Sequence, residues 1–326
     1  MRRAFITGIC GQDGSYLAEF LLKKDYEVHG LVRRLGTSPP HHLKHLLTDP
    51  AAANQLFLYE GDLEDAALLC HNLTKSKPNE VYHLAGKTQV GLSYDQVEIT
   101  CQTNAIGTLR LLEIVRHLPQ PVRFFYASSS EIFGCPDMMP QDEQTPYRPV
   151  TPYGCAKAFA TQMVSVYRRS FGMYGCSGIL YNHESPRRGE HFVTQKICRA
   201  AAAISEGQQQ ELKLGNLTAQ RDWGDARDFI RGMWQALQHP KPEDFVFATG
   251  ELHSVEEVLE IAFATVNLDW RSYIHQDPKL LRLDEPTRLV GNPSKARRLL
   301  GWKCSTTFQQ LIREMTLSAC HWPRGL

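Results

Sequence analysis

Paired cysteines are missing from this chain. Its nine cysteines are scattered through 326 residues, and no Cys-x-x-Cys occurs. That excludes the common thiolate zinc spacing, and the odd count argues against a disulfide framework. A reducing compartment is the simpler expectation. Long apolar runs are missing too. None approaches the length that spans a bilayer, and the run after Met1-Arg2-Arg3 is too short for a signal peptide. The expectation is a soluble, cytoplasmic protein with no membrane partner. An excess of charge of one sign is also missing. With 36 basic and 35 acidic residues the net charge is +1, which gives no bulk attraction to nucleic acid or membrane. There is no internal repeat and no low-complexity linker. The densest histidine cluster, His41, His42 and His45, has no acidic or thiol ligand beside it in sequence. It reads as a polar loop, and no metal is expected.

What is present is an ordinary globular composition, 42% hydrophobic and 22% charged. The length suits one large domain or two closely joined ones. Ala4-Phe5-Ile6 reads as a first strand. It runs into Gly8, Gly11, Gln12, Asp13 and Gly14, and then into a helix over Tyr16 to Leu22. Glycines at this spacing permit a tight turn, a close approach of backbone to a phosphate, and close packing of helix on strand. The helix N-terminus then offers N–H groups and partial positive charge to a pyrophosphate. The junction of strand, turn and helix gives the motif its meaning.

A second strand, Glu27 to Val32, ends in Arg33-Arg34. Many nucleotide-binding sheets place an acidic residue here for the ribose hydroxyls, whereas two arginines suit a 2′-phosphate, so NADP is expected over NAD. The plainer reading is two solvated arginines. Gln55 to Tyr59 is a third strand, followed by Gly61-Asp62-Leu63. Asp62 either meets an adenine amino group or caps the next helix. Glu80 to Gly86 is a fourth strand and its turn, which ends in Leu84-Ala85-Gly86, and a helix is expected over Thr103 to Leu118. Strands alternating with helices predict an α/β fold with a doubly wound parallel sheet.

Chemistry concentrates between Ser128 and Lys157. An apolar run, Val122 to Ala127, reads as a buried strand, and ligands bind at the carboxyl ends of such strands. Ser129 and Glu131 stand there. Tyr153 and Lys157 follow at a spacing that puts both on one helix face, and Pro152 suits the helix start. A lysine beside a phenol favours the phenolate, so Lys157 is expected to lower the Tyr153 pKa and make a base of it.

This helix is expected to reach about Phe171. A strand at Gly178 to Asn182, a polar turn His183 to Glu190, and a helix from Val193 to about Glu206 follow. Gly215 to Trp223 reads as a loop carrying an exposed basic residue, Arg221. A helix over Asp228 to Leu237, a strand at Phe245 to Gly250, and a helix from Ser254 to about Val266 come next. Arg282 and Glu285 fall in an irregular stretch before the last helical segment. The second region interleaves with the first. A Rossmann domain is expected over 1–182 plus about 222–250, and a smaller substrate domain over 183–221 plus 251–326.

The glycine turn, the Ser-x-Glu and the Tyr-x-x-x-Lys together resemble the extended short-chain dehydrogenase/reductase family. Gly-Gln-Asp-Gly-Ser-Tyr-Leu-Ala-Glu ending at Glu19, Asn-His-Glu-Ser-Pro-Arg-Arg-Gly-Glu at 182–190, and Arg221-Asp222-Trp223-Gly224 narrow the resemblance to the GDP-mannose 4,6-dehydratase family. The resemblance implies that Tyr153 takes the proton from the sugar O4 while NADP takes hydride from C4. Lys157 lowers the Tyr153 pKa and orients the nicotinamide ribose. Ser129, where the family usually has threonine, binds O4, and Glu131 removes the C5 proton and assists loss of the C6 hydroxyl. Hydride returns to C6, so the cofactor is not consumed. It also implies cofactor contacts from Gly8, Gly11, Gln12, Asp13, Gly14, Arg33, Arg34, Asp62, Leu63, Leu84, Ala85, Gly86, Tyr153, Lys157, His183 and Arg188. Lys87, Thr88, Ser129, Glu131, Asn182, Arg221, Arg282 and Glu285 are implied on the side of a GDP-linked sugar, and a homodimer or homotetramer is implied as the assembly.

The chain departs from the family pattern where Lys87-Thr88-Gln89-Val90 replaces a usual Ser-His-Val. Ala85-Gly86 reverses a common order, and Arg282 lacks the usual following proline. The alternatives are the same chemistry on a GDP-heptose, a nucleotide-sugar 4-reductase or epimerase on this fold, and a catalytically silent NADP-binding regulator. Glu131 favours dehydration over reduction or epimerisation, which need the tyrosine and lysine alone.

Overall fold

The computed structural model describes residues 1–34, 40–280 and 288–321. Apolar runs bounded by turns form six successive strands: β1 (Arg3–Thr7), β2 (Glu27–Val32), β3 (Leu56–Glu60), β4 (Glu80–His83), β5 (Arg123–Ala127) and β6 (Tyr174–Leu180). Four short strands follow, β7 (Asn182–Glu184), β8 (Leu212–Leu214), β9 (Gln220–Arg221) and β10 (Trp223–Asp225), and then β11 (Phe245–Phe247). The main sheet has seven parallel strands in the order β11-β6-β5-β4-β1-β2-β3. This is the expected doubly wound arrangement. Ala4, Phe5, Ile6, Phe124 and Phe125 are fully buried because helices cover both faces of the sheet. From β1 the order proceeds one way through β2 and β3 and the other way from β4. That reversal opens a crevice at the carboxyl ends of β1 and β4.

The smaller part is built from β8, β9, β12 (His253–Ser254), β13 (Ile274–Gln276) and β14 (Arg288–Leu289). Here β9 lies between β12 and β14, and β13 pairs with β8. Helices Val193–Ser205, Val255–Thr265 and Phe308–Cys320 close over Ile197, Leu259, Phe263, Ile312 and Met315 in a separate apolar cluster.

Three local expectations change. The helix expected from Thr103 begins at Val97 and contains a widened π turn, Gln102–Ile106. That extra residue rotates the apolar stripe, so Leu111, Leu112 and Val115 are buried while Ile106 is 37% exposed. The strand expected at Gly178 starts earlier, at Tyr174, and a separate short strand, β7, carries Asn182. Arg221 is not an exposed loop residue. It is 9% exposed, because β9 pairs on both sides, with β12 at His253 and with β14 at Leu289. Arg282 and Glu285 lie outside the described residues.

Candidate active site

The phosphate turn is defined by what cannot be added to it. Gly8 has φ +74°, and a Cβ there would stand 2.8 Å from the backbone nitrogen of Ala85. A Cβ on Gly14 would stand 2.3 Å from the Gly8 carbonyl oxygen. Gly11 caps helix Gln12–Leu22 without any side-chain hydrogen bond, so the first N–H groups of that helix have no side-chain acceptor from the cap. Space, bare N–H groups and helix polarity together fit the pyrophosphate of a dinucleotide. Arg33 and Arg34 are exposed just past the end of β2, and the charge of Arg33 reaches Cys10 in the turn. Asp62 bonds the backbone of Glu64 at 3.0 Å, and Asp65, not Asp62, caps helix Ala66–Ser76. Leu63 is buried, and its carbonyl accepts from Arg110.

The turn after β4 is held from below. The Ala85 N–H donates to Thr7 Oγ1 at 3.1 Å, so the Thr7 hydroxyl is left to donate to His83 Nδ1 at 2.7 Å. His83 Nε2 then donates to Thr108 Oγ1 at 3.0 Å, and Thr108 donates to the Asn104 carbonyl at 2.7 Å. This tautomer is neutral, and burial holds the His83 pKa down at about 3. Asn104 clamps Lys87 through both backbone groups, at 2.8 Å to its N–H and 2.9 Å to its carbonyl. The Lys87 ammonium donates to Gln96 at 2.7 Å. The charge that distinguishes this turn is therefore directed to the start of the neighbouring helix. Thr88 is exposed.

Helix Pro152–Phe171 is set by the Thr151 cap, with Pro152 in its first turn, and ends at Gly172 with φ +65°. It approaches the Ser-x-Glu turn closely, since a Cβ on Gly154 would stand 2.6 Å from the Glu131 carbonyl oxygen. Ser129 caps the short turn Ser130–Ile132 and favours the ionised form of the Tyr153 phenol, while the charge of Glu131 also acts on that phenol. The expected lowering of the Tyr153 pKa is not what this chain alone produces. Burial pushes the phenol up to about 12, with Ser129 opposing and Glu131 adding to the rise. The reason is geometric. The Lys157 ammonium donates to the Ala127 carbonyl at 2.6 Å and stands 5.9 Å from the Tyr153 ring centre. Burial also pulls Lys157 down to about 8, partly opposed by Asp13.

Asn182, His183 and Arg188 lie on β7 and the turn after it. His183 Nδ1 faces the Tyr181 carbonyl at 2.7 Å and Nε2 faces Asp13 Oδ2 at 2.8 Å, while its ring stacks on Phe229 at 4.8 Å. Arg188 pairs with Glu184 at 3.1 Å and lies over the Phe192 ring at 3.4 Å. Its charge is felt by Tyr153 and by Asp13. Arg221 is held by the Gln220 carbonyl at 2.7 Å. Its neighbour Asp222 accepts from Thr249 N, Thr249 Oγ1, Gly250 N and Gly291 N at 2.6–3.2 Å. Among the described residues no cluster of His, Cys, Asp and Glu is arranged for a metal, and His45 pairs with Glu19 at 2.8 Å.

Two further residues contribute to the site, one hidden from the sequence and one signalled by it. Asn104 acts through a π turn, which leaves no periodic signal. Gly154 was visible inside the Tyr-x-x-x-Lys spacing, and a glycine within a helix is the sign of a close approach.

The pattern of the GDP-mannose 4,6 dehydratase family matches residues 5–315. The GDP-mannose 4,6 dehydratase of Drosophila melanogaster is 44% identical, covering 96% of this chain and 84% of that one. The GDP-mannose 4,6-dehydratase of Vibrio cholerae is 42% identical, covering 97% and 93%. Among solved structures, the dTDP-glucose 4,6-dehydratase DesIV of Streptomyces venezuelae, with NAD and TYD bound, superposes with a TM-score of 0.84 at 23% identity, covering 97% and 96%. RMD of Pseudomonas aeruginosa, complexed with NADPH, superposes at 0.81 and 22% identity, covering 99% and 100%. At these identities the solved structures speak for the fold.

Proposed function

The chain belongs to the GDP-mannose 4,6-dehydratase family, and we propose on that premise that it converts GDP-mannose to GDP-4-keto-6-deoxymannose with bound NADP. It is a nucleotide-sugar 4,6-dehydratase that takes a GDP-sugar and a nicotinamide cofactor. The preference for NADP is the finer proposal. Its support is Arg33 and Arg34 at the end of β2, where a 2′-phosphate would be met.

The observation that best supports the chemistry is the convergence on one phenol. Ser129 favours its ionised form, and Glu131 and Arg188 act on it by charge. In this reading Tyr153 takes the O4 proton while Ser129 holds O4. Lys157, whose ammonium the Ala127 carbonyl holds in this chain alone, orients the nicotinamide ribose and favours the phenolate only once the bound cofactor draws it from that carbonyl. Glu131 takes the C5 proton, made acidic by the adjacent ketone, and protonates the departing C6 hydroxyl, so that water leaves. When bound, NADP supplies the hydride carrier that an internal redox elimination requires. Gly8, Gly11, Gln12, Asp13 and Gly14, with Leu84, Ala85 and Gly86, wall the cofactor. Asn182, Arg221, Lys87 and Thr88 belong to the sugar-nucleotide side, and so do Arg282 and Glu285 by resemblance. A carboxylate at Glu131 favours elimination over simple reduction or epimerisation.

The cofactor side is assigned to 1–182 plus about 222–250 and the sugar-nucleotide side to 183–221 plus 251–326. In support, the separate apolar cluster of the second part draws its buried residues from that part, apart from Trp223. A homodimer or homotetramer is proposed because Val97, Ile99 and Phe159, on two neighbouring helices, are 48%, 44% and 40% exposed. A cytoplasmic location is proposed because all nine cysteines are free, and among the described residues no helix is long and apolar enough to cross a membrane.

The deciding experiment incubates the protein with NADP and GDP-mannose and follows the sugar nucleotide by mass spectrometry. Loss of one water without net NADPH is expected. No mass change would sink GDP-mannose as the substrate, and GDP-heptose would be tried next.

A further inference from the structure

We propose that the Asp13–His183 ion pair is a latch: it fastens the phosphate turn to the Asn182–Arg188 segment and keeps the nicotinamide cofactor in the chain between turnovers. The proposal rests on the reading that this chain holds NADP.

The charge state of the pair follows from its partners. A carbonyl only accepts, so His183 Nδ1 must donate to Tyr181 O at 2.7 Å. Nε2 faces the Asp13 carboxylate at 2.8 Å, so it donates as well, and the ring is an imidazolium. Burial alone would discharge both groups. The mutual attraction outweighs it, raising the His183 pKa and lowering that of Asp13.

The pair is one of several ties between the same two segments. Gln12 donates to the His183 carbonyl at 3.0 Å, and the Ser185 hydroxyl donates to Gln12 Oε1 at 2.7 Å. Arg187 donates to Ser15 Oγ at 3.0 Å, pairs with Glu19, and lies over the Tyr16 ring at 4.0 Å. Hence one face of helix Gln12–Leu22 is fastened along its first two turns to a segment far away in sequence. The same Asp13 acts by charge on Tyr153 and Lys157. The latch therefore stands between the phosphate turn and the acid/base pair, the middle and the nicotinamide end of a dinucleotide site.

Position also explains why the pair must be a pair. A carboxylate in the first turn of this helix competes with phosphate for the positive end of the helix. Asp13 is tolerable beside a pyrophosphate because His183 cancels its charge. An internal redox reaction returns its cofactor to the starting state, so nothing in the cycle requires the cofactor to leave while the sugar nucleotide comes and goes. A tie that holds the cofactor in place loses nothing in turnover.

The test uses the holoenzyme and reads release of bound NADPH by stopped-flow fluorescence on displacement with excess NADP. His183→Gln leaves the Asp13 charge uncancelled and should speed release roughly tenfold to a hundredfold. Asp13→Asn replaces the ion pair by at most a neutral hydrogen bond to a ring that has lost its proton, and should speed release by about three- to tenfold. The double variant should release no faster than His183→Gln alone, a non-additivity that general loosening of the fold would not produce. Release at the wild-type rate from both single variants, or effects that multiply, would overturn the latch. Asp13→Asn is isosteric and decides the matter alone if His183→Gln does not fold. Failure of the wild-type protein to bind NADPH at all would instead sink the cofactor reading.

Discussion

Gly154 and Glu131 are in backbone contact: a Cβ on the glycine would stand 2.6 Å from the glutamate's carbonyl oxygen. The helix that carries Tyr153 and Lys157 is thereby fixed against the turn that carries Ser129 and Glu131. Gly154→Ala must push the two apart, because the obstacle is backbone. The expected cost is about 1–3 kcal/mol of stability. Misplacing one catalytic set against the other should also lower kcat by roughly a hundredfold. Thermal unfolding and steady-state kinetics on the same preparation check both. Wild-type kcat would show that this contact does not set the geometry.

Glu131→Gln separates the two halves of the proposed chemistry. Oxidation at C4 needs Tyr153, Ser129 and Lys157, whereas elimination needs the carboxylate. Dehydration is expected to fall by about 10²–10⁴-fold, while absorbance of reduced cofactor appears in a single turnover and persists. Equal loss of both signals would assign Glu131 to binding instead.

Lys157 is kept buried at a cost in stability. Burial pulls its pKa from 10.5 to about 8. A depressed lysine pKa means that the folded state binds fewer protons than the unfolded one between those values, so stability rises with pH through that window. The penalty is fully present below pH 8 and fades toward pH 10.5. Lys157→Met should therefore abolish turnover and yet raise the melting temperature of the cofactor-free protein at pH 7, by a gain of roughly 1–3 kcal/mol. The gain should shrink as the pH approaches 10. A variant less stable than wild type at pH 7 would mean that its bond to the Ala127 carbonyl outweighs the burial of the charge.

Asp222 gathers four donors from the ends of β11 and β14. It thereby fixes the neighbouring Arg221, which is proposed for the nucleotide end of the substrate. Asp222→Asn keeps the shape but replaces an acceptor oxygen with a donor facing donors. The expected loss is about 2–4 kcal/mol of stability, with KM for the GDP-sugar rising about tenfold and kcat within a factor of about three. An unchanged KM would free Arg221 from dependence on this hub.

What could be read from the sequence was local and chemical. Gly8 and Gly14 announce a turn because a side chain at either would strike backbone, and Tyr153 with Lys157 announces a face because helical spacing is fixed. The doubly wound sheet followed from strands alternating with helices. What could not be read depended on partners distant in the chain. The tie of Asp13 to His183 forms only in the fold, and the clamp of Asn104 on Lys87 needs a π turn. Arg221 looked exposed because polarity along the chain does not reveal strands paired on both sides. The raised Tyr153 pKa is hidden from the sequence for a related reason, since spacing places Lys157 near the phenol but does not say that the Ala127 carbonyl holds its ammonium.

The arginines after β2 supply the sharpest test of cofactor choice. Arg33 and Arg34 are exposed, and Arg33 lies close enough to the phosphate turn for its charge to act on Cys10. A 2′-phosphate at this end of the sheet would meet two guanidinium groups, each able to make charge-assisted hydrogen bonds. NAD lacks that phosphate and would gain nothing from them. Arg33→Ala with Arg34→Ala should raise the Kd for NADP by roughly 10–100-fold and leave the Kd for NAD within a factor of about two. The loss should be smaller in high salt, because exposed charges are screened. Titration by intrinsic fluorescence at two salt concentrations measures all three quantities. Equal weakening of NADP and NAD would place the arginines outside the 2′-phosphate site and return them to the role of solvated side chains at the end of a strand.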